Sequence, residues 1–130
     1  MSKIKGKNTK PEILVRKFLH RQGFRFRIHQ KNLPGKPDIV LSKYNAVIFV
    51  HGCFWHGHQG CRYFTIPKTR TEWWTEKIDS NIYRDVKAEI LLKELGWNIF
   101  HIWECELKKD KRDMTLEKIK FSLLPLLNNQ

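Results

Sequence analysis

Two apolar runs stand three residues apart in the chain, "DIVLS" from Asp38 to Ser42 and "AVIFVH" from Ala46 to His51, with Lys43, Tyr44 and Asn45 between them. β-Branched runs this continuous, joined by a polar turn, read as a hairpin of interior strands. A sheet with one wet face would alternate apolar and polar side chains; these runs do not, so helices must cover both faces. The flanking sequence supplies the helices. Thr9 and Glu12 form a capping box around Pro11, and Leu14 with Phe18 and Val15 with Leu19 stand at helical spacing, which predicts a helix over Lys10 to Gln22. A second helix is predicted over Trp73 to Leu95, where Ile78, Ile82, Val86 and Ile90 recur every four residues before Gly96. "FRFRIH" sets Phe24, Phe26 and Ile28 against Arg25, Arg27 and His29, the period of a half-buried strand with a basic face. "WNIFHIWECEL" is apolar at both parities and reads as another buried strand, and "LEKIKFSLLPLL" as a short closing helix. The order α-β-β-β-α-β-α predicts an α/β fold, a mixed sheet flanked by helices, and 130 residues hold one domain, 1–130.

The charge points to the partner. Lys and Arg number 25 against 13 Asp and Glu, a formal net charge of +12. An excess this large on one small domain favours a polyanion, because each cation that neutralises a phosphate releases condensed counterions. No secretory segment, long apolar run or amphipathic basic anchor is visible, which argues against a membrane and for the cytoplasm. Three cysteines in such a chain do not suggest a disulfide framework.

The chemistry concentrates in "HGCFWHGHQGC", His51 to Cys61. Cys53, His58 and Cys61 form a C-x4-H-x2-C cluster, and Cys105 is the remaining cysteine, so the four could make a tetrahedral structural zinc site. The competing reading is three unrelated thiols. Asp38, at a strand start after a proline bend, suits Mg²⁺, which takes oxygen ligands and keeps most of its waters; a turn aspartate bonded to local amides is the plainer alternative. His51 ends the neighbouring strand and His56 follows on the loop. Two imidazoles beside a metal-bound phosphodiester can activate water and assist the leaving oxygen, or they can be zinc ligands or hydrogen-bonded loop residues. Glu12 has a capping role by default. Phe54 and Trp55 are adjacent large aromatics that either wedge between base steps or close the loop.

The segments "GKNTKPE", "LPGKPDIV", "AVIFVHGCFWHGHQGC", "TRTEWWTEKIDSNIYRD" and "LGWNIFHIWECEL", in this order over residues 1 to 108, resemble the very short patch repair (Vsr) DNA mismatch endonuclease family. Against the family pattern, this chain begins at the Met1 position and has one residue more before Cys61. The resemblance implies a restriction-endonuclease-like mixed sheet flanked by helices. It implies that Asp38 and the main-chain carbonyl of Val50 hold Mg²⁺, that His51 and His56 serve the hydrolysis, and that Glu12 contacts metal-bound water. It implies further that Cys53, His58, Cys61 and Cys105 hold structural Zn²⁺, and that Met1, Phe54, Trp55, Lys77 and Asn81 contact DNA. The activity it implies is a nick 5′ to the thymine of a T·G mismatch left by 5-methylcytosine deamination. The enzyme would be monomeric, bacterial and nucleoid-associated when on DNA, and mismatch-repair proteins are possible partners. Two rival functions remain: a related nuclease with another DNA substrate, and a zinc-stabilised module that binds distorted DNA without cutting.

Overall fold

A computed structural model describes residues 9–127. Four strands form one sheet in the order β1-β2-β3-β4, with β1 at Arg27–Ile28, β2 at Ile39–Leu41, β3 at Ala46–His51 and β4 at Asn98–Trp103. Three helices surround it: α1 at Lys10–Arg21, α2 at Thr71–Glu94 and α3 at Arg112–Leu123. The architecture is mixed α/β, in the element order the sequence predicts. None of the described helices is long and apolar enough to cross a membrane.

The hairpin forms through a short 3-10 turn at Ser42–Tyr44, closed by Asn45 in the left-handed region at φ 50°. Asparagine tolerates that conformation better than most residues. β2 and β3 pair antiparallel, with Ile39 opposite Ile48 and Leu41 opposite Ala46. β3 pairs with β4 in parallel, with Phe49 opposite His101 and His51 opposite Trp103. On one face, Ile39, Leu41, Ala46, Ile48 and Ile102 pack with Val15, Phe18 and Leu19 of α1 and Leu116, Ile119 and Leu123 of α3. On the other, Val40 and Val47 pack with Leu92 of α2, bordered by Phe49 and Ile99. Both faces are therefore covered, which is why the two inner strands are continuously apolar.

Three expectations are corrected. In α2 the i, i+4 series of isoleucines and valine is not the buried stripe: Ile78 is 1% exposed, whereas Val86 and Ile90 are each 53% exposed. Four residues advance about 400° around a helix, so such a series drifts about 40° per step and leaves the interface. The inward residues are instead Ile78, Ala88 and Leu92, with Asp85 and Glu89 partly covered on the same side. In "FRFRIH" only Arg27–Ile28 pairs as strand. Phe24 is buried but Ile28 is exposed on β1, an edge strand of the sheet, and His29 just past it takes the left-handed region at φ 51°. Finally, β4 is an edge strand in which only Ile102 is fully buried.

The drift of α2 predicts unequal costs for truncation at two positions of the same apolar series. Ile78→Ala should cost about 2–5 kcal/mol in chemical denaturation, and Val86→Ala should stay within about 0.5 kcal/mol. Equal losses would mean that the isoleucine series is the packed face.

Candidate active site and metal centre

The open end of the sheet is where the hairpin, the start of α1 and the loop after β3 meet. Thr9, Glu12, Asp38, Val50, His51, Trp55 and His56 line a cleft of about 310 Å³ there. Asp38 enters it because Pro37 and the preceding "PGK" turn aim the start of β2 at that end. Its Oδ2 accepts the Val50 main-chain N–H at 2.7 Å. Burial, partly offset by that hydrogen bond and reinforced by the charge of Glu12, raises the Asp38 carboxyl to about 6.

Glu12 is 1% exposed. The capping box forms by half: Thr9 Oγ1 accepts the Glu12 N–H at 3.4 Å, while the Glu12 carboxylate meets His29 Nε2 at 2.6 Å and Arg16 at 3.4 Å. Donor atoms of Glu12, His29 and Asp38 lie within 4.8 Å of one another. Two carboxylates this close, one with a raised pKa, form a site that a divalent cation would relieve, and their oxygens suit a hard one.

The two histidines of the cleft are held differently, His56 directly by a carboxylate of α2 and His51 through a second imidazole. His56 Nδ1 lies 2.6 Å from Asp85 Oδ2. A carboxylate only accepts, so Nδ1 carries the proton and Nε2 keeps a lone pair suited to removing a proton from water. His51 is 4% exposed, and burial, then the neighbouring His56 and His101, push its imidazole down to about 3, so it is neutral near pH 7. Its ring centroid is 4.4 Å from that of His56. His51 Nε2 meets His101 Nδ1 at 2.8 Å, and His101 Nε2 meets Glu89 Oε1 at 2.9 Å.

The rest of the loop folds around sulfur and aromatic rings. Cys53, His58, Cys61 and Cys105 bring their donor atoms within 4.8 Å of one another, a Cys3His cluster that could hold a metal. Burial pushes the Cys53 thiol up to about 12, so a thiolate at this position needs a cation beside it, and the soft donor set suits zinc. His58 stacks on Trp103 with centroids 4.0 Å apart. Phe54 and Trp55 are both half-buried, and each contacts Trp74 of α2, at 5.3 and 5.6 Å. Gly57, at φ 60°, lets the loop touch α2: a Cβ there would fall 2.7 Å from Ile82 and 2.9 Å from Ile78.

Of the remaining DNA-contact candidates, Asn81 donates to the Trp55 carbonyl at 2.8 Å and accepts from Arg84, Lys77 is exposed on α2, and Met1 lies outside the described residues. Sequence reasoning missed His29, Asp85, Glu89 and His101. His101 left a signal, a titratable residue in an otherwise apolar strand. Asp85 and Glu89 left none, since their role depends on which way α2 is rotated.

Two outcomes follow. With no magnesium added, the raised Asp38 pKa means that the fold favours the protonated acid. That stability is full below the unfolded value of 3.8 and is lost as pH rises through about 6. Asp38→Asn should therefore melt higher than the parent at about pH 8, and the gap should close towards about pH 4; a gap that does not vary with pH would reject the buried-carboxylate account. Cys105→Ser should lower bound zinc and melting temperature together, and an unchanged zinc content would refute the four-donor set.

The sequence profile of the DNA mismatch endonuclease Vsr family matches residues 1–62. The chain is 56% identical over 108 residues to the type II nicking enzyme V.NmeAIP of Neisseria meningitidis, an alignment covering 83% of this chain and 76% of that protein. It is 50% identical over 107 residues to the type II nicking enzyme V.XorIIP of Xanthomonas oryzae pv. oryzae, covering 82% and 78% respectively. Identity to the DNA mismatch endonuclease Vsr of Escherichia coli K12 is 45% over 108 residues, covering 83% and 69%. With a cleft of carboxylates and histidines beside a Cys3His cluster on a basic chain, these similarities identify the chain as a DNA endonuclease of the Vsr family.

Proposed function

We propose that this endonuclease acts in very short patch repair, nicking one strand 5′ to the thymine of a T·G mismatch produced by deamination of 5-methylcytosine, on a restriction-endonuclease-like fold spanning one domain. The observation that carries the reading is the convergence of Glu12, Asp38, His51 and His56 on one cleft whose rim includes Trp55. A binder that does not cut would have no use for two histidines, one held by Asp85 and one by His101, facing a pair of carboxylates.

The parts divide as follows. Asp38 and the Val50 carbonyl would hold Mg²⁺, which when bound supplies Lewis-acid polarisation of the scissile phosphate. Glu12, braced by His29, orients water at the edge of that site. His56, its Nδ1 proton engaged by Asp85, uses Nε2 to take the proton of the attacking water. His51 completes the catalytic pair. Phe54 and Trp55 wedge into the base stack beside the mismatch, an exchange of contacts with Trp74 for contacts with bases. Met1, Lys77 and Asn81 face the DNA, and Cys53, His58, Cys61 and Cys105 hold a structural Zn²⁺ that fixes the loop. The net charge of +12 supports binding to the phosphate backbone. We read the enzyme as a monomer of the cytoplasm that works alongside other mismatch-repair proteins.

A nicking assay in Mg²⁺ on T·G, matched and other mismatched duplexes in several sequence contexts tests the reading. The expected product is a single nick 5′ to the mismatched thymine. Equal cutting of matched DNA would move the enzyme to another substrate, and binding without cutting any duplex would make it a distortion binder.

A further inference from the structure

The roles assigned above leave His101 and Glu89 without a function, although His101 bonds His51 and Glu89 bonds His101. The parallel register sets His101 beside Phe49 and Trp103 beside His51, so all four side chains stand on the α2 face of the sheet. The His51 and His101 rings stack with centroids 5.0 Å apart at 19°, and Phe49 stacks on both, at 5.8 and 5.7 Å. Two hydrogen bonds extend the stack into a chain: His51 Nε2 to His101 Nδ1 at 2.8 Å, and His101 Nε2 to Glu89 Oε1 at 2.9 Å.

The direction of the chain is set at its outer end. A carboxylate can only accept, so His101 carries a proton on Nε2, and whenever the ring is neutral its Nδ1 can then only accept. His51 must supply the proton in the bond they share. We propose that Glu89 and His101 are positioning residues that lock His51 in the Nε2–H tautomer, so that its Nδ1 presents a lone pair to the reaction. His51 then accepts a hydrogen bond from the attacking water and orients it, rather than protonating the leaving oxygen. The neighbouring pair is wired the opposite way: Asp85 holds His56 by Nδ1 and frees Nε2. Asp85 and Glu89 are one turn apart on α2, so a single helix face sets the tautomers of both histidines, in opposite senses. The inference rests on the assignment of His51 to hydrolysis.

The test uses the full, zinc-loaded chain with ¹⁵N-labelled histidine. Long-range ¹H–¹⁵N correlation spectra of the DNA-free protein at a pH where the rings are neutral should find His51 in the Nε2–H form alone. His101→Phe, which keeps the stack and removes the acceptor, should give a mixture of tautomers. It should also lower kcat about ten- to a hundredfold with little change in KM. His101→Asn returns an acceptor oxygen near the lost Nδ1 and should restore both the tautomer and most of kcat. Glu89→Ala, at a partly exposed position, should loosen the lock to a smaller degree without loss of fold, and so stands in if His101→Phe proves unstable. The proposal is overturned by a His51 in the Nδ1–H form in the parent, by a tautomer unchanged in His101→Phe and Glu89→Ala, or by an Asn variant that restores the tautomer but not kcat. Because the tautomer is read without DNA, a parent that locks His51 but nicks no T·G duplex would overturn the proposed substrate and leave the lock standing.

Discussion

Parallel pairing of β3 with β4 is the interaction on which the rest of the molecule depends. Parallel neighbours cannot be joined by a tight turn, so the chain must leave the His51 end of β3 and travel back along the sheet to the Ala46 end before β4 can start. The loop from Gly52 and the whole of α2 make that journey. The register then decides what meets. With His51 opposite Trp103, Cys105 lies just beyond the strand end, where Cys53 leaves the other strand, and the Cys105 N–H reaches Cys53 Sγ at 3.4 Å. With Phe49 opposite His101, a second imidazole lies within reach of His51. A slip of one residue along β4 would separate the sulfur donors and turn His101 to the opposite face of the sheet.

Charge is arranged in two regimes. The exterior is dominated by lysine and arginine, whereas the carboxylates that matter are drawn inward, Glu12 almost completely and Asp38 far enough to raise its pKa. Each inward carboxylate has a defined opponent: Arg16 and His29 for Glu12, the Val50 amide for Asp38, His56 for Asp85, and His101 with Lys93 for Glu89. Burial without partners would be costly enough to unfold a chain of this size. A basic shell around acidic interior groups lets the protein approach a polyanion while retaining oxygen donors at the point of contact.

Much of this could be read from the chain. The capped start of α1, the turn after Leu41 and the glycine that ends α2 are local signals, and the element order follows from them. Glu12, Asp38, His51 and His56 were named from motif and resemblance, and they share one cleft. What escaped was rotational. A four-residue repeat of apolar side chains looked like a buried stripe, but the helix buries Ile78 beside the Gly57 loop and Leu92 against the sheet, with Asp85 and Glu89 partly covered. Polar residues on an inward face are satisfied by partners distant in sequence, and nothing near Asp85 in the chain announces His56. His29 escaped for another reason: it sits in the left-handed region just past the end of β1, where strand periodicity no longer says which way a side chain points.

The contact of Gly57 with Ile78 and Ile82 has a mechanical consequence. The loop is anchored by a strand end, by a cysteine cluster and by a glycine pressed against a rigid helix, and between these anchors only one peptide bond separates the Trp55 indole from the His56 imidazole. The carbonyl of that peptide is gripped by Asn81, and the imidazole by Asp85, one helical turn away. The segment is thus a short lever clamped at both ends, with no slack to absorb a displaced ring. Whatever force lifts the indole from Trp74 is delivered to the histidine beside it.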